Sequence, residues 1–380
     1  MTESPPGCLE IINISPESKQ LEANIQYSSS TSKSAFEKIL QPLNEFNQAI
    51  CEKQKSLKAS VKKSSTHIDN AFHHTSSFMV HMYSVSDTLA RFYQKTRMVY
   101  MKRLIIIASI ALLLWELYGG LTNNNQLKLW ILTGFLGCYT FASFTYYLII
   151  KRSRVDNHFL DARSIAEALR VQMVWNLIGS PLIASDWFLK RQCEDTQWVQ
   201  FGLRSIKAVS TRLTPMETQQ CLENAHQQWL RKQKLYFNNY AIPRNQERIN
   251  ILEKAIQYLL ISGVGLIALQ IAGLQGYFIS AKLLNWLVPL TALVPTTAGL
   301  ISAYLEMEAN RDHLNQFVSM NRFYIKGDAL LKPLLKRNKH NTPEENLKAR
   351  QIIEELGKEA LSENGEWLTL RRVRPLQLFS

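Results

Sequence analysis

A bilayer-length window run along the chain meets four segments that are almost purely apolar. Leu104 to Leu121 contains one charge, Glu116, and Leu129 to Ile150 contains none. Ala255 to Leu274 carries Gln257 and Gln270, and Leu283 to Leu305 is uncharged but contains Pro289 and Pro295. At 1.5 Å per helical residue these segments are roughly 27 to 35 Å long, matching a hydrocarbon core of about 30 Å. Four such segments arranged as two close pairs predict transmembrane helices rather than buried helices of a soluble protein. The mean hydropathy of −0.14 hides this segregation.

Only short loops, Gly119 to Lys128 and Gln275 to Lys282, separate the members of each pair. Each pair therefore reads as a helical hairpin that satisfies its backbone hydrogen bonds internally. Arg91, Lys95, Arg97, Lys102 and Arg103 precede the first hairpin, and Lys151, Arg152 and Arg154 follow it. Arg244, Arg248 and Lys254 precede the second, and Arg311 follows it; each intervening loop has a single lysine, Lys128 or Lys282. By the positive-inside rule both hairpins predict outward loops and cytoplasmic termini. The first 100 residues contain no signal-peptide core.

The chain has 44 Lys+Arg against 31 Asp+Glu, a net charge of +13. The juxtamembrane clusters account for much of this excess, and lysines and arginines there attract anionic lipid at about 1 kcal/mol each. No nucleic-acid-binding signature is present, so nucleic acid is not an expected partner. Cys8, Cys51, Cys138, Cys193 and Cys221 are odd in number and lack C-x-x-C spacing, which supports neither a disulfide framework nor a zinc site.

The pattern predicts an all-α integral membrane protein: two transmembrane hairpins, four spans, and a cytoplasmic helical domain between them. Residues 1–83 read as a polar N-terminal region, disordered to about residue 34. A short amphipathic helix follows on Phe36, Ile39, Leu43, Phe46 and Ile50, kinked or begun near Pro42, and then a Ser/Lys linker over 53–66. Residues 84–155 hold the first hairpin, entered by a helix from about Val85. Residues 156–245 form the helical domain: one helix to Trp175 broken at Gly179–Ser180–Pro181, another over 186–209, and a third from Met216 to Asn238, with Pro243 closing the block. Residues 246–325 hold the second hairpin and a helix over 306–324. Residues 326–380 contain a final helix from Pro343 to about Leu361 and a basic tail.

Each candidate residue has two readings. Glu116 lies near the outer end of its span between Trp115 and Tyr118, as an interfacial carboxylate or as pore lining. Small residues recur at helical spacing: Thr133, Gly137 and Thr140; Gly265, Ala268 and Ala272; Thr291, Ala298 and Ser302. Gly137, Gly265, Ala272 and Ala298 are the expected helix-packing positions, with a narrow conduit in an oligomer as the sharper alternative. Pro289 and Pro295 give a static kink or a gating hinge. His67, His74 and His81 stand about 10 Å apart on a helix, too far to share one metal. Catalytic motifs are absent, and neither an enzyme activity nor a cofactor nor a metal is expected.

Three stretches carry a family resemblance. They are Ser86–Asp87–Thr88–Leu89–Ala90–Arg91–Phe92–Tyr93 before the first span, and Asp161–Ala162–Arg163 with Ala166–Glu167–Ala168–Leu169–Arg170–Val171–Gln172 and Trp175. That second block continues with Asp186, Gln192, Trp198 and Leu203–Arg204. The third is Ala360–Leu361–Ser362–Glu363–Asn364 with Glu366–Trp367–Leu368, Arg372 and Arg374–Pro375–Leu376. Over roughly residues 84–376 the chain resembles the SLATT proteins, the SMODS- and SLOG-associating two-transmembrane effectors of prokaryotes.

The resemblance implies a plasma-membrane effector of anti-phage or other conflict systems, forming a homo-oligomeric pore when a nucleotide-sensing or nucleotide-generating partner triggers it. No SLOG or nucleotidyltransferase domain is recognisable, so the sensor is expected on a separate protein or missing. On this reading Glu116 sits at the outer mouth. Arg163, Glu167, Arg170, Trp175 and Trp198 form either a structural core or the contact that couples a cytoplasmic signal to the membrane. The alternative is a non-conducting scaffold that recruits cytoplasmic partners.

Overall fold

In the computed structural model the described residues are 12–14, 21–23, 30–69, 77–120, 125–147, 155–188, 197–209, 218–275, 281–307, 310–336 and 342–373. The fold is all-α apart from one small hairpin, in which β1 (Ile12–Ile14) and β2 (Leu21–Ala23) pair antiparallel with Ile12 opposite Ala23. Four helices are long and apolar enough to cross a membrane. The expected disorder before residue 34 otherwise falls largely outside the described residues.

The helices are α1 (Ser30–Asp69), α2 (Ser77–Gly120), α3 (Asn125–Tyr147), α4 (Val155–Leu177), α5 (Ala184–Trp187), α6 (Gln197–Val209), α7 (Thr218–Ala225), α8 (Arg231–Tyr236), α9 (Ile242–Leu274), α10 (Ala281–Met307), α11 (Asn310–Lys336) and α12 (Pro343–Val373). They form two compact units. The first combines residues 1–93, 157–231 and 326–372; the second combines 94–156, 232–325 and 373–380. Three segments that are distant in sequence thus share one core.

In the first unit α4 is central. Phe159, Leu160, Ala162, Ile165, Ala166, Leu169, Met173, Val174 and Trp175 are all buried, so apolar residues surround the helix instead of forming one stripe. α2 lies antiparallel to it: His158 stacks on Tyr93 at 5.2 Å, Arg170 reaches Tyr83, and Asn176 reaches Met79. α12 also runs antiparallel to α4, with Trp367 edge-on to Phe159 at 5.8 Å and Gly357 against Trp175. α12 starts with a reciprocal cap: Glu345 N donates to Thr342 Oγ1, and Thr342 N donates to Glu345 Oε2. α4 stops where expected, because Gly179 adopts φ 68°, a left-handed conformation that favours glycine.

In the second unit each apolar pair is a hairpin. Leu114 of α2 packs on Gly134 of α3, and Trp115 lies 5.4 Å from Phe135. Gly263 of α9 faces Val294 of α10, and Arg248 donates to the Tyr304 hydroxyl. Met101 and Leu104 of α2 meet Ala142 of α3 and Tyr304 of α10, where the two hairpins touch.

Several boundaries differ from the sequence reading. α1 continues through the presumed 53–66 linker and past Pro42, and Phe46 and Ala49 are buried. Lys58, Lys62 and Lys63 are exposed on the helix, so this run of charge does not break it. The helix expected over 186–209 is described as α5 and α6, with residues 189–196 outside the described residues. The Thr214–Pro215 start also lies outside them.

Pro243 ends nothing, because residues 218–274 are helical throughout. Two π-helical turns, His226–Leu230 and Phe237–Ala241, interrupt the α pattern. In the second, the N–H of Ile242 bonds to the carbonyl of Phe237, five residues back. The widened turn accommodates the proline ring and its missing donor at the first positions of α9. α12 continues to Val373, twelve residues beyond the expected end near Leu361.

The closest helix contact gives a stability prediction. A Cβ on Gly357 would lie 2.7 Å from Cε2 of the fully buried Trp175, which has no free space to move. Gly357→Ala should gain about 1 kcal/mol of helix propensity but cost about 1–3 kcal/mol in overpacking, lowering the thermal midpoint of the detergent-solubilised protein. Gly265→Ala, with nothing within 4 Å, should leave that midpoint unchanged or raise it.

Candidate functional site

Arg163, Glu167 and Arg170 follow one another at i, i+4 and i+7, which places them on one face of α4. The three side chains are half-buried, with Arg163 the most exposed at 35%, so each loses part of its hydration and recovers it by pairing. Arg163 pairs with Glu167. Arg170 lies 2.7 Å from the other Glu167 oxygen, forming a ladder of alternating sign. α2 supplies the facing groups. Arg170 donates to the Tyr83 hydroxyl at 2.7 Å, with its guanidinium 5.5 Å from the ring centroid. Asp87, whose side chain is 2% exposed, lies 3.8 Å from Arg163 and 2.5 Å from Arg91.

The titration behaviour follows from these contacts. Burial alone would raise the Glu167 carboxyl, but Arg163 and Arg170 together outweigh it and hold the group below its ordinary value. Burial opposes the charge of Arg170, yet Glu167 and Tyr83 keep its guanidinium more firmly protonated than usual. Burial raises the Tyr83 phenol, so it stays a neutral hydroxyl. Glu363 of α12 approaches the same ladder, and burial and the negative charge of Glu167 push its carboxyl up to about 7.

The ladder therefore joins Arg163, Glu167 and Arg170 to Tyr83 and Asp87, to which the sequence gives no part in it, and Glu363 lies within electrostatic reach of it. A signal for two of them existed. Val80, Tyr83, Asp87 and Ala90 fall at i, i+3, i+7 and i+10 and are all buried, so Asp87 is an acid in the apolar phase of α2. Nothing in the spacing of α12 identifies Glu363.

Trp175 and Trp198 lie apart from the ladder. Trp175 is fully buried, with its indole Nε1 unpartnered among the described residues. Trp198 is 2% exposed and lies 5.5 Å from Phe46 of α1. Both are core residues of this chain, and neither presents a surface to a partner.

A neighbouring polar node closes the turn after α4. The side-chain carbonyl of Gln172 accepts from Ala184 N at 2.7 Å, and its amide donates to Asn176 Oδ1 at 3.1 Å and to Leu182 O at 3.3 Å. Lys207 donates to the same Asn176 oxygen, and burial pulls its ammonium below its ordinary value. His226, in the first π turn, lies 2.7 Å from Asp328 of α11.

In the second unit Glu116 is half-buried near the end of α2 and makes no ion pair among the described residues. The rings of its neighbours Trp115 and Tyr118 stack at 6.1 Å. Ala298 is buried and Ala272 half-buried, whereas Gly137 and Gly265 are exposed with nothing within 4 Å. Among the described glycines of this unit, those at contacts within the chain are Gly134 and Gly263. Gly263 and Gly265 are two residues apart and so occupy opposite sides of α9. Thr133, Gly137 and Thr140 likewise form an exposed stripe, and the two threonine hydroxyls donate to the carbonyls of Leu129 and Leu136 at 2.8 and 2.9 Å. No group of three or more potential ligands capable of holding a metal exists among the described residues.

The buried ladder and an exposed pair should respond differently to truncation. Arg170→Ala leaves Glu167 and Tyr83 short of a partner and should cost about 3–5 kcal/mol, with Glu167→Ala/Arg170→Ala recovering part of that loss. Arg204→Ala breaks the solvent-exposed pair with Asp186 and should cost less than about 1 kcal/mol. Chemical denaturation of the purified full chain in detergent measures both effects.

No protein-family model, no curated protein and no solved structure matches this chain.

Proposed function

We propose that this chain is a membrane effector that assembles from several copies into a pore or membrane-perturbing complex in the plasma membrane of a prokaryote. Both termini and the first unit lie in the cytoplasm. A separate nucleotide-sensing or nucleotide-generating protein triggers the assembly, as the SLATT-like stretches imply. The basic residues flanking both hairpins support the orientation.

The exposed small-residue faces carry the argument for assembly. No residue of α3 is buried within the chain, and its Thr133–Gly137–Thr140 stripe faces outward, as do Gly265 and Ala268 on α9. Small faces let membrane helices approach closely, and a single chain leaves these unused. Closed-ring symmetry would place equivalent faces around one axis. α2 offers a path for coupling, because the same helix carries Asp87 and Tyr83 of the ladder and the first apolar segment.

One observation favours the non-conducting scaffold instead. Glu116 is the sole charge in the four apolar segments, so a conducting path would draw nearly all its polarity from hydroxyls and backbone.

The two readings separate in bacteria expressing the chain. An effector sufficient by itself depolarises the membrane and admits a small dye soon after induction, and Glu116→Gln changes cation preference if that residue lines the path. A scaffold leaves the potential intact while membrane fractionation recovers the protein. Cys138 lies on α3 beside Gly137 and is a half-exposed free thiol, so a variant retaining only this cysteine reports assembly directly. Oxidative cross-linking in membranes should give a dimer band that Gly137→Leu removes; a monomer under all conditions rules out self-association through this face.

A further inference from the structure

Two arginines of α9 are held by tyrosines in place of carboxylates. Arg248 donates to the hydroxyl of Tyr304 on α10, and its guanidinium lies 5.5 Å from the centre of that ring. Arg244, one turn earlier on the same face, donates to the hydroxyl of Tyr240 at 2.7 Å and lies 5.4 Å from its ring. A phenol oxygen engages only part of a guanidinium's fork of N–H donors, and it brings no negative charge.

The first contact fixes where Arg248 lies relative to a membrane. Tyr304 is the last residue but one of the apolar segment Leu283–Leu305, so its hydroxyl marks the end of that span. Arg248 stands seven residues before Ala255, where its own helix turns apolar, or about 10 Å along the axis. Reaching Tyr304 lifts the guanidinium to the edge of the hydrocarbon, into the layer of roughly 5–7 Å that headgroups occupy on each side of a bilayer. Tyr304 also packs on Met101 and Leu104 of α2, so the arginine lies where the two hairpins meet. Beyond it, the exposed Ile251 and Tyr258 continue the same side of α9 into the apolar segment.

No acid among the described residues answers this charge. The nearby carboxylates are Glu247 and Glu253 on α9 and Glu306 on α10. Glu253 is taken by Arg311 at 2.6 Å, and neither Glu247 nor Glu306 comes within ion-pair distance of Arg244 or Arg248. Between Met101 and Leu104, α2 adds the exposed Lys102 and Arg103, on a stretch without an acid from Thr88 to Trp115.

We propose that Arg248, steadied by Tyr304 and backed by Arg244, is the headgroup ligand of a bound anionic phospholipid. The N–H groups that Tyr304 leaves free bond to the lipid phosphate, and the acyl chains run along Ile251 and Tyr258. Such a site differs from the diffuse attraction of juxtamembrane lysines, because it depends on the geometry of one guanidinium and not on charge alone. It rests on the hairpins lying in a bilayer, but on neither a pore nor an orientation.

Native mass spectrometry of the full chain in a neutral detergent tests this by titration with phosphatidylglycerol and with phosphatidylcholine of the same acyl chains. The wild type should bind phosphatidylglycerol about 10-fold more tightly or better. Arg248→Gln should weaken that binding about 10- to 100-fold, the loss expected for charge-assisted hydrogen bonds. Arg248→Lys keeps the charge without the fork and should still lose about 10-fold. Lys254→Gln removes an exposed charge from the same boundary and should cost less than about 5-fold. Tyr304→Phe keeps the ring and should cost about 5-fold, with phosphatidylcholine binding unchanged.

Equal affinity of the wild type for the two lipids overturns the proposal. So does an Arg248→Lys chain that binds like the wild type, since charge alone would then be the cause. Release of the lipid by millimolar inorganic phosphate overturns it in favour of a soluble anion. Should Arg248→Gln fail to fold, Arg248→Lys and Tyr304→Phe compared with Lys254→Gln decide the same question. None of these readouts involves conduction, so the lipid site and the pore reading can fail separately.

Discussion

The buried ladder Asp87–Arg163–Glu167–Arg170 is the constraint on which the first unit depends. α4 is largely enclosed by apolar side chains, and its three charges are half-buried there, where pairing offsets the hydration they lose. Two of the three neutralise each other along the helix, but the second arginine needs the Tyr83 hydroxyl and the first gains from Asp87. α2 therefore has one acceptable register on α4. Apolar packing alone tolerates sliding by a turn, whereas a slide here would bury Asp87 and Arg170 without partners. The contacts at Met79, Tyr83, Asp87 and Tyr93 fall in step with Asn176, Arg170, Arg163 and His158.

Continuity is the second theme. Residues 218–274 stay helical past a proline because two π turns absorb what an α-helix could not. Each π turn also rotates the faces that follow it. Trp229 and Leu230 at the end of the first are buried, and at the end of the second Ala241 is buried while Tyr240 is exposed. Phe237 meets Phe317 and Tyr324 of α11 at 5.6 and 5.7 Å, which anchors the second turn. On α10, Pro289 and Pro295 lie within one continuous helix, where Thr291 and Thr297 bond to the carbonyls of Leu287 and Leu293.

Long-period features were legible in the sequence and compensated ones were not. The four apolar segments, the two hairpins and the stop at Gly179 follow from residue type alone, because hydropathy and a left-handed backbone need no partner to be recognised. The spacing of Arg163, Glu167 and Arg170 reads as a water-facing row of pairs, and only the packing of α2 shows that the row is half-buried. The spacing of α2 marks Tyr83 and Asp87 as inward-facing but not what they meet, since Tyr83 stands 80 residues before Arg163 and only packing joins the two helices. Pro243 and the lysines of α1 misled for a common reason: a local rule about breaking helices was outweighed by a neighbouring turn or a packed face. Gly263 and Gly265 stand on opposite sides of α9, whereas Gly134 and Gly137 lie on neighbouring parts of one face of α3, and only the packing within the chain shows that Gly134 and Gly263 are the ones in contact there.

The two units satisfy their polar groups in opposite ways, and this bears on what the exposed surfaces are for. The first buries ions and pairs them with side chains from other helices. The second satisfies hydroxyls within single helices: Ser109, Thr133, Thr140, Thr291 and Thr297 all bond to a carbonyl four residues back. A face treated in this way can meet hydrocarbon without cost, or can pack closely on another helix. It gives an ion little to replace its hydration shell. If copies of this chain enclose a conducting path, its polarity must come from Glu116, the few intramembrane glutamines, or hydroxyls released from their own backbone as the helices rearrange. A closed state with these hydroxyls satisfied internally is thus physically consistent with an assembly that conducts only after its helices move.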